Sequence, residues 1–227
     1  MKKMTWLGLS IFGWTFWLPL LLTGVILVLT LALICPPLSW LMAVESITCL
    51  AFFRDPPRRI PTEPGLMVAP ADGKITDITR LDNHGICGSP ALRIGIFLSV
   101  LDVHVNRSPC DATVGATEYR PGLFFDARRP EAATDNESLT ITLLAPGTAY
   151  TGAKPTAVVR QISGAIARRI IAPVQIGQRL ARGQRFGMIA FGSRTELIVP
   201  APERWEVAVH AGQHVKAGAT ILLRHRA

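Results

Sequence analysis

The sequence predicts a mainly β protein: a barrel-sandwich-like β domain behind an N-terminal apolar helical membrane hairpin. Three observations carry this. Short β-like runs punctuated by Gly or Pro fill the chain after residue 65, with few helical periods among them. No charged residue occurs from Thr5 to Cys35. The pattern x-Gly-Gln-x-apolar-x-x-Gly occurs twice, at Ile176–Gly183 and Ala211–Gly218, each time after a β-like run. Such glycine-punctuated turns recur in barrel-sandwich folds of the biotinyl and lipoyl-carrier type, where glycine supplies the tight bends.

Residues 1–53 form the expected membrane anchor, with one or two apolar helices. Leu18–Ile34 is aliphatic apart from Pro19, Thr23, Gly24 and Thr30, so a helix here can cross a hydrocarbon core of ~30 Å. The stretch is too long for a signal-peptide core and lacks a small-x-small cleavage site, which predicts that it is retained. Trp6, Trp14 and Trp17 suit an interfacial position. Pro36-Pro37 must stop the helix, because proline has no N–H to donate and clashes with the preceding turn. A second apolar stretch, Leu38–Phe53, is interrupted by Glu45 and is marginal as a span. Lys2 and Lys3 lie before the apolar region, and Arg54, Arg58 and Arg59 after it; basic flanks favour the cytoplasmic side, so both ends are expected inside the cell.

Residues 54–64, rich in Pro and Arg, read as an extended linker, and residues 65–227 as the β domain. Its expected strands include 66–69, 74–78, 92–100, 112–119, 139–144, 157–162, 168–171, 184–190, 196–199, 206–209 and 220–223. The polar segment Phe124–Glu137 reads as a surface loop. The net charge is +8, but the basic residues are scattered and no nucleic-acid motif is present. Attraction to anionic membrane lipid accounts for the charge more simply, and no nucleic-acid partner is expected. Cys35, Cys49, Cys87 and Cys110 show no metal-ligand spacing, so neither a metal site nor disulfides are expected.

The stretch Arg185–Pro200 reads as two buried strands broken at Gly192-Ser193. A Gly-Ser pair is ordinarily a turn, since glycine permits positive φ and serine bonds its own backbone. Three other segments change that reading: Phe52-Phe53-Arg54-Asp55-Pro56, Ala69-Pro70-Ala71-Asp72-Gly73-Lys74, and the run from Phe97 to Arg107 containing Asp102-Val103-His104-Val105-Asn106-Arg107. In that order, with Gly192-Ser193 near the end, they resemble the phosphatidylserine decarboxylase family in its short bacterial and archaeal form.

The resemblance implies pyruvoyl catalysis. Ser193 would attack the carbonyl of Gly192 to cleave the chain there, giving α and β chains from one proenzyme, and Ser193 would become a covalent pyruvoyl group. A serine hydroxyl needs a base, and an imidazole held in one tautomer by a carboxylate is the usual one. The positions implied are His104 as base and Asp72 as carboxylate. Asp102 is a rival, since strand alternation would put it on the same face as His104. The implied substrate is phosphatidylserine, decarboxylated to phosphatidylethanolamine, with the apolar anchor suited to a lipid substrate; a homo-oligomer is left open. Three positions depart from the family pattern: Arg107 where longer members have a second His, Ser138 after Asn136-Glu137 where relatives often have Arg, and Arg194 where many have Ser or Thr. The alternative is a membrane-anchored adaptor with a lipoyl-like domain and no catalysis, although no sustained heptads occur between Gly73 and Ile170 to supply its hairpin.

Overall fold

The computed structural model describes residues 5–6, 8–87, 90–129, 131–148, 153–165, 169–190 and 193–226. Lys2, Lys3, Arg168 and Gly192 lie outside the described residues. The chain divides into two compact units, Met1–Pro56 and Pro57–Ala227.

In the first unit, β1 (Thr5–Trp6) pairs with β2 (Leu9–Ser10), and a 3-10 turn, Ile11–Gly13, leads into α1 (Trp14–Ile34). The Ser10 hydroxyl accepts from the Phe12 amide at 3.3 Å and its carbonyl accepts from the Trp17 indole at 2.8 Å, so one residue satisfies two groups at the helix entry. The apolar helical segment Ile11–Ile34 is long and apolar enough to cross a membrane, with mean hydropathy 2.5. The proline pair does end α1, but Pro36 also occupies the first turn of α2 (Pro36–Ala51), where its missing N–H costs nothing. Only Cys35 separates the two helices, and they pack where Gly24 meets Ser46: a Cβ on Gly24 would lie 2.8 Å from the Ser46 hydroxyl. With 16 residues α2 is about 24 Å long, short of a ~30 Å core. Beyond it the Asp55 amide donates to the Gly8 carbonyl at 2.8 Å, returning the chain to its start.

The second unit is built of strands: β3 (Leu66–Val68), β4 (Gly73–Leu81), β5 (Ala91–Leu98), β6 (Val105–Arg107), β7 (Ala112–Arg120), β8 (Ser138–Leu144), β9 (Ala157–Ile162), β10 (Arg169–Ile171), β11 (Arg179–Leu180), β12 (Arg185–Ala190), β13 (Ser193–Pro200), β14 (Trp205–Val207), β15 (His214–Val215) and β16 (Ile221–His225). Eight of them form one antiparallel sheet in the order β11-β7-β8-β9-β13-β5-β4-β15, and two three-stranded sheets, β10-β12-β6 and β14-β16-β3, complete the unit. Its core is aliphatic, with Ile94, Ile96, Leu98, Ile141, Leu143 and Leu197 fully buried.

The repeated glycine pattern makes both edges of the large sheet. One copy contains β11 and the other β15, so the pattern forms the two outermost positions and leaves only two-residue strands exposed to edge pairing. The second glycine of each copy turns the chain inward: Gly183 and Gly218 take φ of +72° and +73°, and a Cβ on Gly218 would lie 3.4 Å from the Gly183 Cα. The edges therefore meet, and the sheet curls on itself as the barrel-sandwich expectation requires. Arg107 is buried in this seam, its guanidinium donating to the Gly183 carbonyl at 3.2 Å.

Three strands escape the sequence pattern. β6, β11 and β15 are three residues or fewer and carry polar side chains, so no alternation is visible in them. β13 begins at Ser193 rather than Glu196, because Ser193 and Thr195 face inward as a polar extension of Leu197 and Val199 while Arg194 and Glu196 take the other face. The segment 124–137 is not wholly a surface loop either: it holds α3 (Ala132–Asp135) and then buries Asn136 and Glu137.

Candidate active site

Antiparallel register brings every residue of interest to one end of the large sheet. β4 starts there, with Lys74 opposite Phe97, so Asp72 precedes it. β5 ends at Leu98 opposite Ser193, the first residue of β13. On the other side Arg194 pairs with Ile162, so one step further along the same register Ser163 falls beside Ser193. β8 begins here with Ser138 opposite Ile162, and β7 ends with Arg120 opposite Ser138.

His104 reaches the same place through the turn after β5. Leu98 faces Ser193, while Val105 faces Met188 and the Ile189 amide donates to the His104 carbonyl at 3.3 Å. Residues 99–104 thus fall between the pairing of Leu98 with Ser193 and that of Val105 with Met188, and they form a turn in which the Asp102 amide donates to the Ser99 carbonyl at 2.9 Å. Phe191 and Gly192 lie outside the described residues.

Within the turn, Asp102 has two separate tasks. Its carboxylate accepts from the Ser99 amide at 2.8 Å and the Ser99 hydroxyl at 2.7 Å, which locks the turn. Its backbone carbonyl lies 2.9 Å from Nδ1 of His104. A carbonyl only accepts, so Nδ1 carries the proton, and in the neutral ring the lone pair is at Nε2. His104 is fully buried.

Asp72 is buried and each of its oxygens is engaged: Oδ1 accepts from the Ala217 amide at 2.8 Å and Oδ2 from the Arg58 guanidinium at 2.7 Å. Burial pushes its pKa up, the Ala217 amide and Arg58 pull it back, and the nearby Asp102 charge raises it again; the net direction is upward. Gly73, next to it, has φ +144°, and a Cβ there would collide with the Phe97 carbonyl oxygen. The Asp-Gly pair is therefore the close approach of β4 to β5, which sets Asp72 at the site end.

Ser193 is fully buried, and among the described residues its hydroxyl finds no hydrogen-bond partner. A buried hydroxyl left so costs ~1–3 kcal/mol, which marks it as a group held for something other than stability. Around it lies a polar network that sequence reasoning missed. Asn106 donates to the Thr195 hydroxyl at 3.2 Å and the Pro70 carbonyl at 3.3 Å, and accepts from Gln161 at 2.7 Å. The side-chain oxygen of Gln161 and the Ser163 hydroxyl are likewise unpartnered among the described residues. No pattern announced it in the sequence, since Gln161 stands beside Arg160 and Thr195 among Ser193, Arg194 and Glu196.

The departures find local explanations. Arg194 lies on the face away from Ser193, where it donates to Glu196 at 3.0 Å, Thr76 at 2.9 Å and Asp77 at 2.6 Å. Gly95 leaves room for it, since a Cβ there would collide with both Arg194 and Asp77. At Ser138 the guanidinium of Arg160, from the neighbouring strand, donates to the hydroxyl at 3.2 Å. Glu137 beside it is buried, which pushes its carboxyl pKa up, while a hydrogen bond with Tyr119 acts in the opposite sense.

Comparison with known proteins bears on what this arrangement does. The family profile described as phosphatidylserine decarboxylase matches residues 46–223. The chain is similar to the phosphatidylserine decarboxylase proenzyme of Rhodopirellula baltica, 41% identical over 202 residues, covering 87% of this chain and 82% of the relative. The proenzyme of Cereibacter sphaeroides is 42% identical over 198 residues, 86% and 82% of the two chains. That of Solibacter usitatus is 39% identical over 210 residues, 89% and 95%.

Proposed function

The chain belongs to the phosphatidylserine decarboxylase family and is a decarboxylase, and on that premise we propose that it cleaves itself between Gly192 and Ser193 and then converts phosphatidylserine to phosphatidylethanolamine and CO₂. The observation that carries the self-cleavage is the Ser193 hydroxyl: buried, unpartnered among the described residues, and at the sheet end where His104 sits with its Nδ1 proton directed to a carbonyl. Ser193 Oγ attacks the Gly192 carbonyl carbon as Nε2 of His104 takes its proton. The peptide C–N bond breaks and an ester forms between Gly192 and Ser193. Loss of the Ser193 Cα proton then expels the Gly192 carboxylate from Cβ, leaving a dehydroalanine. Hydrolysis with departure of ammonia turns it into a pyruvoyl group at residue 193.

The residues present fit such a group. Residue 193 is at the start of a central strand paired on both sides, and the Ser163 hydroxyl, unpartnered among the described residues, can donate to a carbonyl there. When formed, it supplies a carbonyl that binds the substrate amine and takes up the electrons left by CO₂. The protein holds position 193 through β5 and β9, keeps it from bulk water, and has a basic nitrogen at His104 to move protons. Asp72 is assigned the task of setting the electrostatics of this end of the sheet and supporting His104. The α and β chains would remain together because β13, which opens the fragment 193–227, is paired on both sides within the large sheet.

The apolar helix and net charge of +8 support residence at an anionic membrane, and the basic flanks Lys2-Lys3 and Arg54, Arg58 and Arg59 support a cytoplasmic β domain. A reporter fused after Ala227 should be active only as a cytoplasmic fusion; activity of an export-dependent reporter there would reverse the topology. The adaptor reading is not favoured, since the repeated glycine pattern already has a structural use in closing the sheet. The test of the reaction is release of CO₂ from phosphatidylserine in detergent micelles by purified protein without pyridoxal phosphate. Free L-serine should turn over poorly, because it lacks the remote groups whose binding positions the reacting centre. The opposite preference would overturn the lipid assignment.

A further inference from the structure

The site end of the large sheet carries an apolar rim. The turn after β5 exposes Val100 and Leu101, the latter 81% accessible. The loop after β7 exposes Leu123, Phe124 and Phe125 at 54%, 37% and 36%. Among the described residues, the other exposed large aliphatic side chains of this unit, Ile86, Ile176 and Val207, stand singly elsewhere. Scattered apolar residues need no explanation, but two clusters at the one sheet end that holds Ser193 do.

Neither cluster is a loose loop. Asp102 locks the first turn through Ser99. Asn136 clamps the second: it accepts from the Phe125 amide and donates to the Phe125 carbonyl, both at 2.8 Å, and also donates to the Ser163 carbonyl at 2.8 Å. The Leu123 amide and carbonyl bond residues 135 and 137 at 2.7 and 3.0 Å. The phenylalanine loop is thus fastened to the residue that falls beside Ser193. Between the clusters the sheet edge runs β5-β13-β9-β8-β7, four strand spacings of ~4.8 Å each, with Ser193 on the second strand.

We propose that this rim docks on the bilayer surface, so that a phospholipid headgroup enters the site between the two clusters without leaving the membrane. The proposal rests on the reading of the substrate as a membrane phospholipid. A bilayer is the partner that fits, because both clusters stand at the sheet end that a lipid headgroup must reach and phenylalanine and leucine side chains insert at the boundary of headgroups and acyl chains. Residues 121–137 carry Arg128 and Arg129 against Asp126, Glu131, Asp135 and Glu137, so this loop contributes apolar insertion and not attraction, and preference for anionic lipid comes from the net charge of +8 on the whole chain.

The test uses the full chain with Cys35→Ser and Cys49→Ser. The Cys87 and Cys110 thiols are buried, with pKa values pushed up to about 11 and about 12, so they stay unlabelled. An environment-sensitive fluorophore is placed at Leu101→Cys, at Phe124→Cys, and at Glu203→Cys beyond the opposite end of β13. The proteins are reconstituted in vesicles of phosphatidylcholine and phosphatidylserine with brominated acyl chains. Labels at 101 and 124 should be quenched and the label at 203 should not. Equal quenching at all three positions, or none at 101 and 124, overturns the proposal, as does a spectral shift at 124 that appears in detergent and depends on protein concentration, which would mark contact between copies. Quenching does not require turnover: quenching at 101 and 124 in a chain inactive on phosphatidylserine upholds the docking and strikes the functional reading instead, and an active chain without quenching overturns the docking alone.

Discussion

Replacing Arg194 by Ser should cost stability while sparing self-cleavage. Arg194 is nearly buried, its side chain 10% accessible, and it pairs with Glu196 at 2%. It makes three hydrogen bonds at 2.6–3.0 Å to Glu196, Thr76 and Asp77. Breaking a buried ion pair by removing one partner costs ~3–5 kcal/mol, because the other charge is left buried. Glu196 keeps Arg93 and Arg160 at 3.9 Å each, and Asp77 is partly exposed and keeps Arg93 at 3.3 Å, so a loss of about 3 kcal/mol is expected. That is a large share of a typical stability of ~5–15 kcal/mol, yet leaves the protein folded. The measurement is urea unfolding in a Ser193→Ala background, which keeps the chain in one piece, followed by tryptophan fluorescence. Adding Glu196→Gln should recover part of the loss, since the stranded carboxylate goes too. In the Ser193 background Arg194→Ser should still process fully, because the guanidinium lies on the face away from Ser193. A loss under about 1 kcal/mol would refute the argument that the buried pair is what matters, and so would a folded variant that no longer cleaves.

Removing the base by His104→Ala should accumulate uncleaved chain, with cleavage slowed by ~10²–10⁴-fold on denaturing gels. Asp72→Asn should slow cleavage more than Asp102→Asn, because Asp102 holds His104 through its backbone carbonyl, which the substitution keeps; the reverse ranking would transfer the supporting role to Asp102. For Asp77, burial raises the pKa but Thr76 and Arg194 lower it further, so the net direction is down from 3.8. A depressed carboxylate pKa adds stability that is present above the unfolded value and is lost as pH falls below it, so acid unfolding should be shallower below about pH 4 in Asp77→Asn than in the parent. Superimposable acid limbs would remove Asp77 from the account.

How much of this was legible beforehand depended on whether a residue's task leaves a trace in its neighbours along the chain. The long strands of the large sheet did, because one face of each is aliphatic: Ala157–Ile162 is found where alternation put it, and Leu92–Val100 needed only its ends moved to Ala91 and Leu98. The paired glycine pattern was visible too, although its use in bringing two sheet edges together depends on residues 35 positions apart in sequence, Gly183 and Gly218. Ser193, His104 and Asp72 stood out only as a set, and the register gathers all three at one sheet end without itself assigning their chemistry. The division of labour within Asp102, carboxylate to Ser99 and carbonyl to His104, was hidden because residues 102–104 leave strand geometry, so alternation does not apply to them. Gln161 and Asn136 were invisible for another reason: Gln161 meets Asn106 and Asn136 meets Ser163, 55 and 27 residues away, and a polar residue taken alone says nothing of what it meets.

The most direct test of the central claim is a mass spectrum of the purified full-length protein. Self-cleavage gives two chains, residues 1–192 with an ordinary C-terminal carboxylate and residues 193–227 with an N-terminus that resists stepwise chemical sequencing, both replaced by a single intact chain in Ser193→Ala. An intact wild-type chain that still releases CO₂ from phosphatidylserine would contradict it.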